Sequence, residues 1–180
     1  MSGPKYGIDE ARAFKPVRIA VLTVSDTRTP ETDSSGATLA ARIETAGHAV
    51  AARALIRDDP AAIRDQVKAW LADARIDVVI ATGGTGLTGR DVTVEAVRPL
   101  FDKEIEGFSV VFHQVSLRTV GLSTLQSRAC AGVARGKIVF LLPGSTGAVK
   151  DAWDEIIRYE LDARYRPCNL VEIMPRFLEA

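Results

Sequence analysis

The segment Thr82-Gly83-Gly84-Thr85-Gly86, followed closely by Arg90 and Asp91, has the residue types of a site for the phosphate of a small-molecule ligand. Glycine accepts positive φ and, having no Cβ, lets a ligand lie against the main chain. Successive N–H groups in such a loop can form a concave anion site, and the hydroxyls of Thr82 and Thr85 add donors. The plainer alternative is a tight turn that needs glycine for steric reasons only. The segment is not a P-loop, because the Gly-Lys-Ser/Thr ending is absent, and its glycine spacing is not that of a dinucleotide fingerprint. Asp91 stands just before a predicted helix over Val92–Leu100. It is either a helix cap or a ligand for Mg²⁺, an ion that prefers a carboxylate combined with substrate phosphates. Arg90 is a phosphate partner or a solvated arginine.

Other candidates lie elsewhere along the chain. Asp59 precedes Pro60 and reads as the cap of a helix that Pro60 opens, which leaves Asp58 free to point into a cleft. Gly144 and Ser145 precede the last long helix, whose first turn would cap on Ser145 or Thr146 and could also attract an anion. Ser123–Arg128 (STLQSR) and Ala129–Gly132 (ACAG) are rich in small and hydroxyl side chains, for which composition favours packing over a site. His48 and His113 are isolated, so no Ser-His-Asp or Cys-His arrangement is supported.

The elements that must position these residues are legible from periodicity. Arg18–Val24, Ile76–Ala81 and Lys137–Leu142 are short, β-branched and almost continuously apolar, the pattern of strands covered on both faces. Val50–Ile56 is a weaker fourth candidate. Between them, Ser35–Gly47 carries Leu39, Ile43 and Ala46, and Pro60–Ala74 carries Ile63, Val67, Trp70, Leu71 and Ala74, each at helical spacing. The last helix is predicted over Thr146–Tyr165. Alternation of this kind predicts a three-layer α/β/α sandwich with a mostly parallel central sheet. Ligands then sit at the carboxyl ends of the strands. Thr23, Ser25 and Asp26, the glycine loop, and Pro143-Gly144-Ser145 all fall at such ends.

The remaining features exclude more than they select. The 180 residues and 47% hydrophobic share suit one domain, taken as residues 16–180 with a flexible N-terminal arm over 1–15. That arm could instead pack on a neighbouring subunit. Charges balance to zero, so neither nucleic acid nor a membrane surface is an expected partner. No stretch approaches the roughly 18 apolar residues of a membrane span, and the N-terminus lacks the apolar core of an export signal. Cys130 and Cys168 have no metal-ligand spacing and are expected as free thiols in the cytoplasm.

The combined motifs resemble the molybdenum cofactor biosynthesis family. They are TGGTGLTGRDVTVEA at Thr82–Ala96, VLTVSDTR at Val21–Arg28, SRACAG at Ser127–Gly132 and LPGS at Leu142–Ser145. The segments STLQSRA and DARYRPCN are similar to the MoaB branch in particular. The resemblance implies a fold that binds molybdopterin, and self-association as a trimer or, more typically for MoaB, a hexamer. It implies adenylylation of molybdopterin by ATP with Mg²⁺. It assigns Asp58 and Asp91 as the catalytic and metal-holding carboxylates, and Gly83, Gly84, Thr85 and Gly86 as the phosphate loop. Ser25, Asp26, Ser127, Gly132, Pro143, Gly144 and Ser145 become further cleft positions. The chain departs from the family where Val94 replaces a proline, where Ser109-Val110 replaces Gly-Glu, and where His113 replaces an arginine. Two functions stay open: an adenylyltransferase, or a molybdopterin-binding protein without turnover.

Overall fold

The computed structural model describes residues 6–179. In chain order the elements are β1 (Gly7–Ile8), β2 (Arg18–Val24), α1 (Ser34–Thr45), β3 (Ala49–Ile56), α2 (Pro60–Ala72), β4 (Val78–Thr82) and α3 (Thr93–Val97). There follow β5 (Lys103–Glu104), α4 (Glu106–Val120), β6 (Cys130–Ala134), β7 (Lys137–Leu142), α5 (Thr146–Ala152), α6 (Arg158–Glu160), β8 (Tyr165–Arg166) and α7 (Leu170–Ile173). The central sheet has the order β3-β2-β4-β7-β6-β5. Its first four strands run parallel, whereas β6 is antiparallel to both β7 and β5.

Strand alternation assigns the two cores. Ile19 and Val21 of β2, Val78 and Ile80 of β4, and Ile138 and Phe140 of β7 face one side, where Leu39 and Ile43 of α1, Phe108 and Phe112 of α4, and Val149 of α5 cover them. Ala20, Leu22, Val79, Ala81, Val139 and Leu141 face the other side, under Ile63, Val67 and Trp70 of α2 and Val94 and Val97 of α3. The three-layer expectation therefore holds. Both faces of each strand are buried, so the runs are apolar at nearly every position. The crossovers β2-α1-β3 and β3-α2-β4 move in opposite directions along the sheet, and α1 and α2 lie on opposite faces, as a constant crossover hand requires.

Several expectations change. The last helix does not run unbroken to Tyr165. It passes through a π turn at Trp153–Ile157 and ends at Glu160. Trp153, Ile156 and Ile157 all face the core, at the i, i+3, i+4 spacing of one helix face. Beyond it, Asp162 accepts from the Arg164 N–H at 2.9 Å, an Asx-type turn that ends helical hydrogen bonding. The elements not expected are α4 over Glu106–Val120, β6 within the small-residue segment, and the short β1, β5, β8 and α7. The described part of the N-terminal arm, residues 6–15, is held to the same chain, with Gly7 and Ile8 paired antiparallel to Arg166 and Tyr165. Arg164 also bonds Glu10 at 3.0 Å. Residues 1–5 of the expected arm lie outside the described residues.

Candidate functional site

The sheet has a switch point between β2 and β4. These neighbouring strands send their following loops to opposite faces, toward α1 and α3 respectively, and a crevice opens between the loops. β3 lies beyond β2 and β7 beyond β4, so four adjacent strand ends border one cleft of about 610 Å³, within the size range of small-molecule sites. β3 delivers Asp58, β2 delivers Ser25, Asp26 and Arg28, β4 delivers Gly83–Gly86, and β7 delivers Pro143–Ser145. Arg90, Asp91 and Ser127 line it as well, together with Ser123 and Gln126.

Hydrogen bonds tie these loops to one another. Ser25 N–H donates to the Ile56 carbonyl at 2.9 Å and Gly83 N–H to the Leu142 carbonyl at 3.0 Å. Asp58 N–H reaches Asp26 Oδ1 at 3.2 Å, and Arg28 Nη2 donates to the Gly144 carbonyl at 2.8 Å. Gly83 and Gly84 have φ of 102° and 64°. A Cβ on Gly83 would collide with the Val24 carbonyl oxygen, and one on Gly84 with Thr93 Oγ1, while approaching Asp58 Oδ1 at 2.8 Å. Conformation and close approach together demand glycine at these positions.

The carboxylates differ in kind. Asp58 titrates above its ordinary value, first through burial and then through the charges of Asp26 and Asp91. Burial also opposes ionisation of Asp91, but hydrogen bonds from Thr88 and Gly86 outweigh it and hold this carboxyl below the ordinary value. The Thr88 bonds are 2.9 Å from N–H and 2.6 Å from the hydroxyl. Asp91 is thus not a helix cap: α3 begins after Val92 without a side-chain cap, and Asp91 instead closes its own turn. Asp26 is bonded by Arg90, Nε at 2.9 Å and Nη2 at 2.6 Å, which holds its carboxyl down. Solvent screens an exposed pair of this kind, so it contributes little to stability. Among the described residues, no cluster of three or more His, Cys, Asp or Glu side chains forms a ready metal cage. Asp58 and Asp91 nevertheless face one cleft and raise the cost of each other's charge. This suits a divalent cation whose other ligands are phosphate oxygens and water.

Two expected site residues fall outside the cleft. Thr82 is fully buried and spends its hydroxyl on the Pro143 carbonyl at 2.8 Å, so it joins β4 to the β7 loop and offers nothing to a ligand. Gly132 lies within β6, opposite Glu104 and Val139, where a Cβ would strike the Phe101 ring. Its smallness serves packing. Asp59 caps α2 by accepting from Ala61 and Ala62 at 2.8 and 2.9 Å, and Ser145 caps α5 through Ala148 N–H at 3.1 Å while also lining the cleft. His48 is buried and accepts from Val17 N–H at 3.2 Å, a structural role.

Arg28, Thr93 and Arg128 were not singled out from the sequence. Arg28 lines the cleft and pairs with the buried Asp33 at 3.5 Å. Its position three residues after Ser25, in the loop leaving β2, was the available signal. Thr93 and Arg128 hold the glycine loop from behind. The departures Ser109 and His113 line a second cleft, of about 640 Å³, on the far side of Arg128. Val110 is exposed on α4.

The fold and the cleft define a doubly wound α/β protein with a small-molecule-sized cleft at its switch point. Residues 20–163 match the family described as "Probable molybdopterin binding domain". The Escherichia coli K12 protein named molybdenum cofactor biosynthesis protein B is 52% identical over 156 residues, covering 87% of this chain and 92% of that one. The Bacillus subtilis protein of the same name is 46% identical over 146 residues, covering 81% and 86%. A crystal structure of a molybdenum cofactor biosynthesis protein B superposes with a TM-score of 0.83 at 42% identity, covering 92% and 98%. The tungsten cofactor synthesizing protein MoaB from Pyrococcus furiosus superposes at 0.71 with 37% identity, covering 80% and 92%. The chain belongs to the molybdenum cofactor biosynthesis protein B (MoaB) family, and its role lies in molybdenum cofactor biosynthesis.

Proposed function

We propose that the chain binds molybdopterin in the switch-point cleft and adenylylates it with Mg-ATP, giving adenylyl-molybdopterin and pyrophosphate. One observation carries this reading: the glycine loop, Asp58 and Asp91 converge at the ends of adjacent strands in a single cleft. The backbone N–H groups of Gly84 and Thr85 receive phosphate oxygens. Arg90, released from Asp26, and Arg28 add positive charge on the opposite side. Asp91 and Asp58 would hold Mg²⁺, which would supply charge neutralisation at the triphosphate and Lewis acidity. A terminal phosphate oxygen of molybdopterin forms the new bond to the α-phosphorus, and the bond to the pyrophosphate oxygen breaks, that oxygen leaving with the electron pair. The protein contributes position and charge, and no protein nucleophile is required.

The rival reading is a molybdopterin-binding protein without turnover, and it draws on Ser109 and Val110. Neither residue lines the phosphate cleft, which supports the enzyme reading over its rival. The deciding assay incubates the protein with molybdopterin, ATP and Mg²⁺. Adenylyl-molybdopterin should form with the wild type and disappear with Asp91→Asn. Tight pterin binding without product would instead establish the carrier.

A further inference from the structure

Four successive carbonyls of the glycine loop are held by groups that do not line the phosphate cleft. Thr93 Oγ1 donates to the Gly83 carbonyl at 2.8 Å and Thr93 N–H to that of Gly84 at 2.9 Å. Arg128 N–H donates to the Thr85 carbonyl at 3.0 Å and its Nε to that of Gly86 at 2.8 Å. A trans peptide carries its C=O and N–H on opposite edges. Anchoring each carbonyl from behind therefore turns the N–H of the following residue away from the anchor. Gly84 and Thr85, both of which line the cleft, have no protein acceptor for their N–H groups among the described residues.

The Arg128 side chain does more than finish this row. Its Nη2 donates to the Asp91 carbonyl at 3.0 Å, and Glu95 of α3 pairs with the same guanidinium. One planar group thus clamps Gly86 and Asp91, the two ends of the turn that joins the phosphate loop to the metal-holding carboxylate. Arginine can bridge two carbonyls in fixed geometry, whereas the single ammonium of lysine offers one point of attachment on a flexible stem. Arg128 faces the second cleft, so it reaches no ligand in the first.

We propose that Arg128 is the positioning residue that sets the spacing between the phosphate cradle and the Asp91 carboxylate, so that phosphate and Mg²⁺ bind as a unit. The proposal rests on the phosphate and Mg²⁺ assignments of the preceding subsection. Inorganic pyrophosphate is the probe, its affinity measured by calorimetry with and without Mg²⁺ for the wild type, Arg128→Ala and Arg128→Lys. Wild-type protein should bind pyrophosphate more tightly when Mg²⁺ is present. Arg128→Ala should lose roughly 10-fold to 100-fold in the presence of Mg²⁺, the usual effect of removing a group that orients a ligand-binding one, and clearly less in its absence. Arg128→Lys should recover part of the loss. In ligand-free protein, amide hydrogen exchange should accelerate over residues 86–91 in Arg128→Ala while the central strands stay protected. Unchanged exchange over this turn, or equal losses with and without Mg²⁺, would overturn the positioning role. Failure of the wild type to bind pyrophosphate at all would overturn the phosphate site itself, and the positioning role with it.

Discussion

At the scale of single residues, the two acidic positions assigned by resemblance differ physically, and that difference is measurable. Asp58 is raised by burial and by neighbouring negative charge. Its folded form therefore binds a proton more tightly than the unfolded chain does. The ionised carboxylate is a burden on the fold, and stability contributed at this position falls as pH rises through the window between the ordinary value and the raised one. Asp58→Asn should remove that burden, so at pH 7 the variant unfolds at equal or higher urea concentration than the wild type while losing Mg²⁺-dependent binding. Asp91 behaves oppositely. Hydrogen bonds from Thr88 and Gly86 lower it against burial, so its contribution is present above the ordinary carboxylate value and is lost as pH falls through the depressed one. Asp91→Ala should therefore destabilise the turn at neutral pH as well as abolish product. Urea titrations of the two variants over a pH series running from below the ordinary carboxylate value to pH 7.5 test both signs.

At the scale of elements, the glycines separate into those that shape the site and those that permit packing. Gly84 has φ of 64° and no room for a Cβ beside Thr93 and Asp58. Gly84→Ala should cost about 1–3 kcal/mol in denaturant unfolding and also weaken pyrophosphate binding, because the strain falls on the cradle. Gly132→Ala should show a similar cost of about 1–3 kcal/mol from overpacking against Phe101, yet leave ligand affinity of the folded protein unchanged. Equal loss of affinity in both variants would return Gly132 to the site. The helix caps are a separate contribution. Asp59→Ala removes an acceptor from two N–H groups at the start of α2 and should cost about 1 kcal/mol without altering binding.

At the scale of the whole molecule, the outer surface of α4 and the turn after it expose apolar side chains. Val110, Leu117, Val120, Leu122 and Leu125 are between 50% and 74% exposed. Exposed apolar residues grouped along one segment mark an interaction surface, and a net charge of zero does little to oppose self-association. We expect homo-oligomers, with a hexamer favoured over a trimer, to bury this face. Sedimentation velocity should give a species well above the 19.4 kDa chain, and Leu122→Glu combined with Leu125→Glu should shift it toward the monomer. A monomeric wild type would sink this expectation. No helix of the described residues is long and apolar enough to cross a membrane.

The sequence by itself determined the layers and the strand ends. Runs such as Arg18–Val24 and Lys137–Leu142 coincide with β2 and β7, because a doubly covered strand leaves an unmistakable apolar run. It also located the glycine loop, whose composition follows from a local backbone demand. It did not disclose α4, although Phe108, Phe112 and Val115 stand at helical spacing, nor β6, whose small residues carry little periodic signal. Tertiary structure alone decided which of the candidate residues meet. Thr82 points to Pro143 and Gly132 to Phe101, because strand pairing fixes which face each side chain occupies. Arg90 turns to Asp26, 64 positions distant, and Arg128 reaches back 42 positions to Gly86. Such partners are set by how strands order themselves in the sheet, and no local pattern of residues encodes that order.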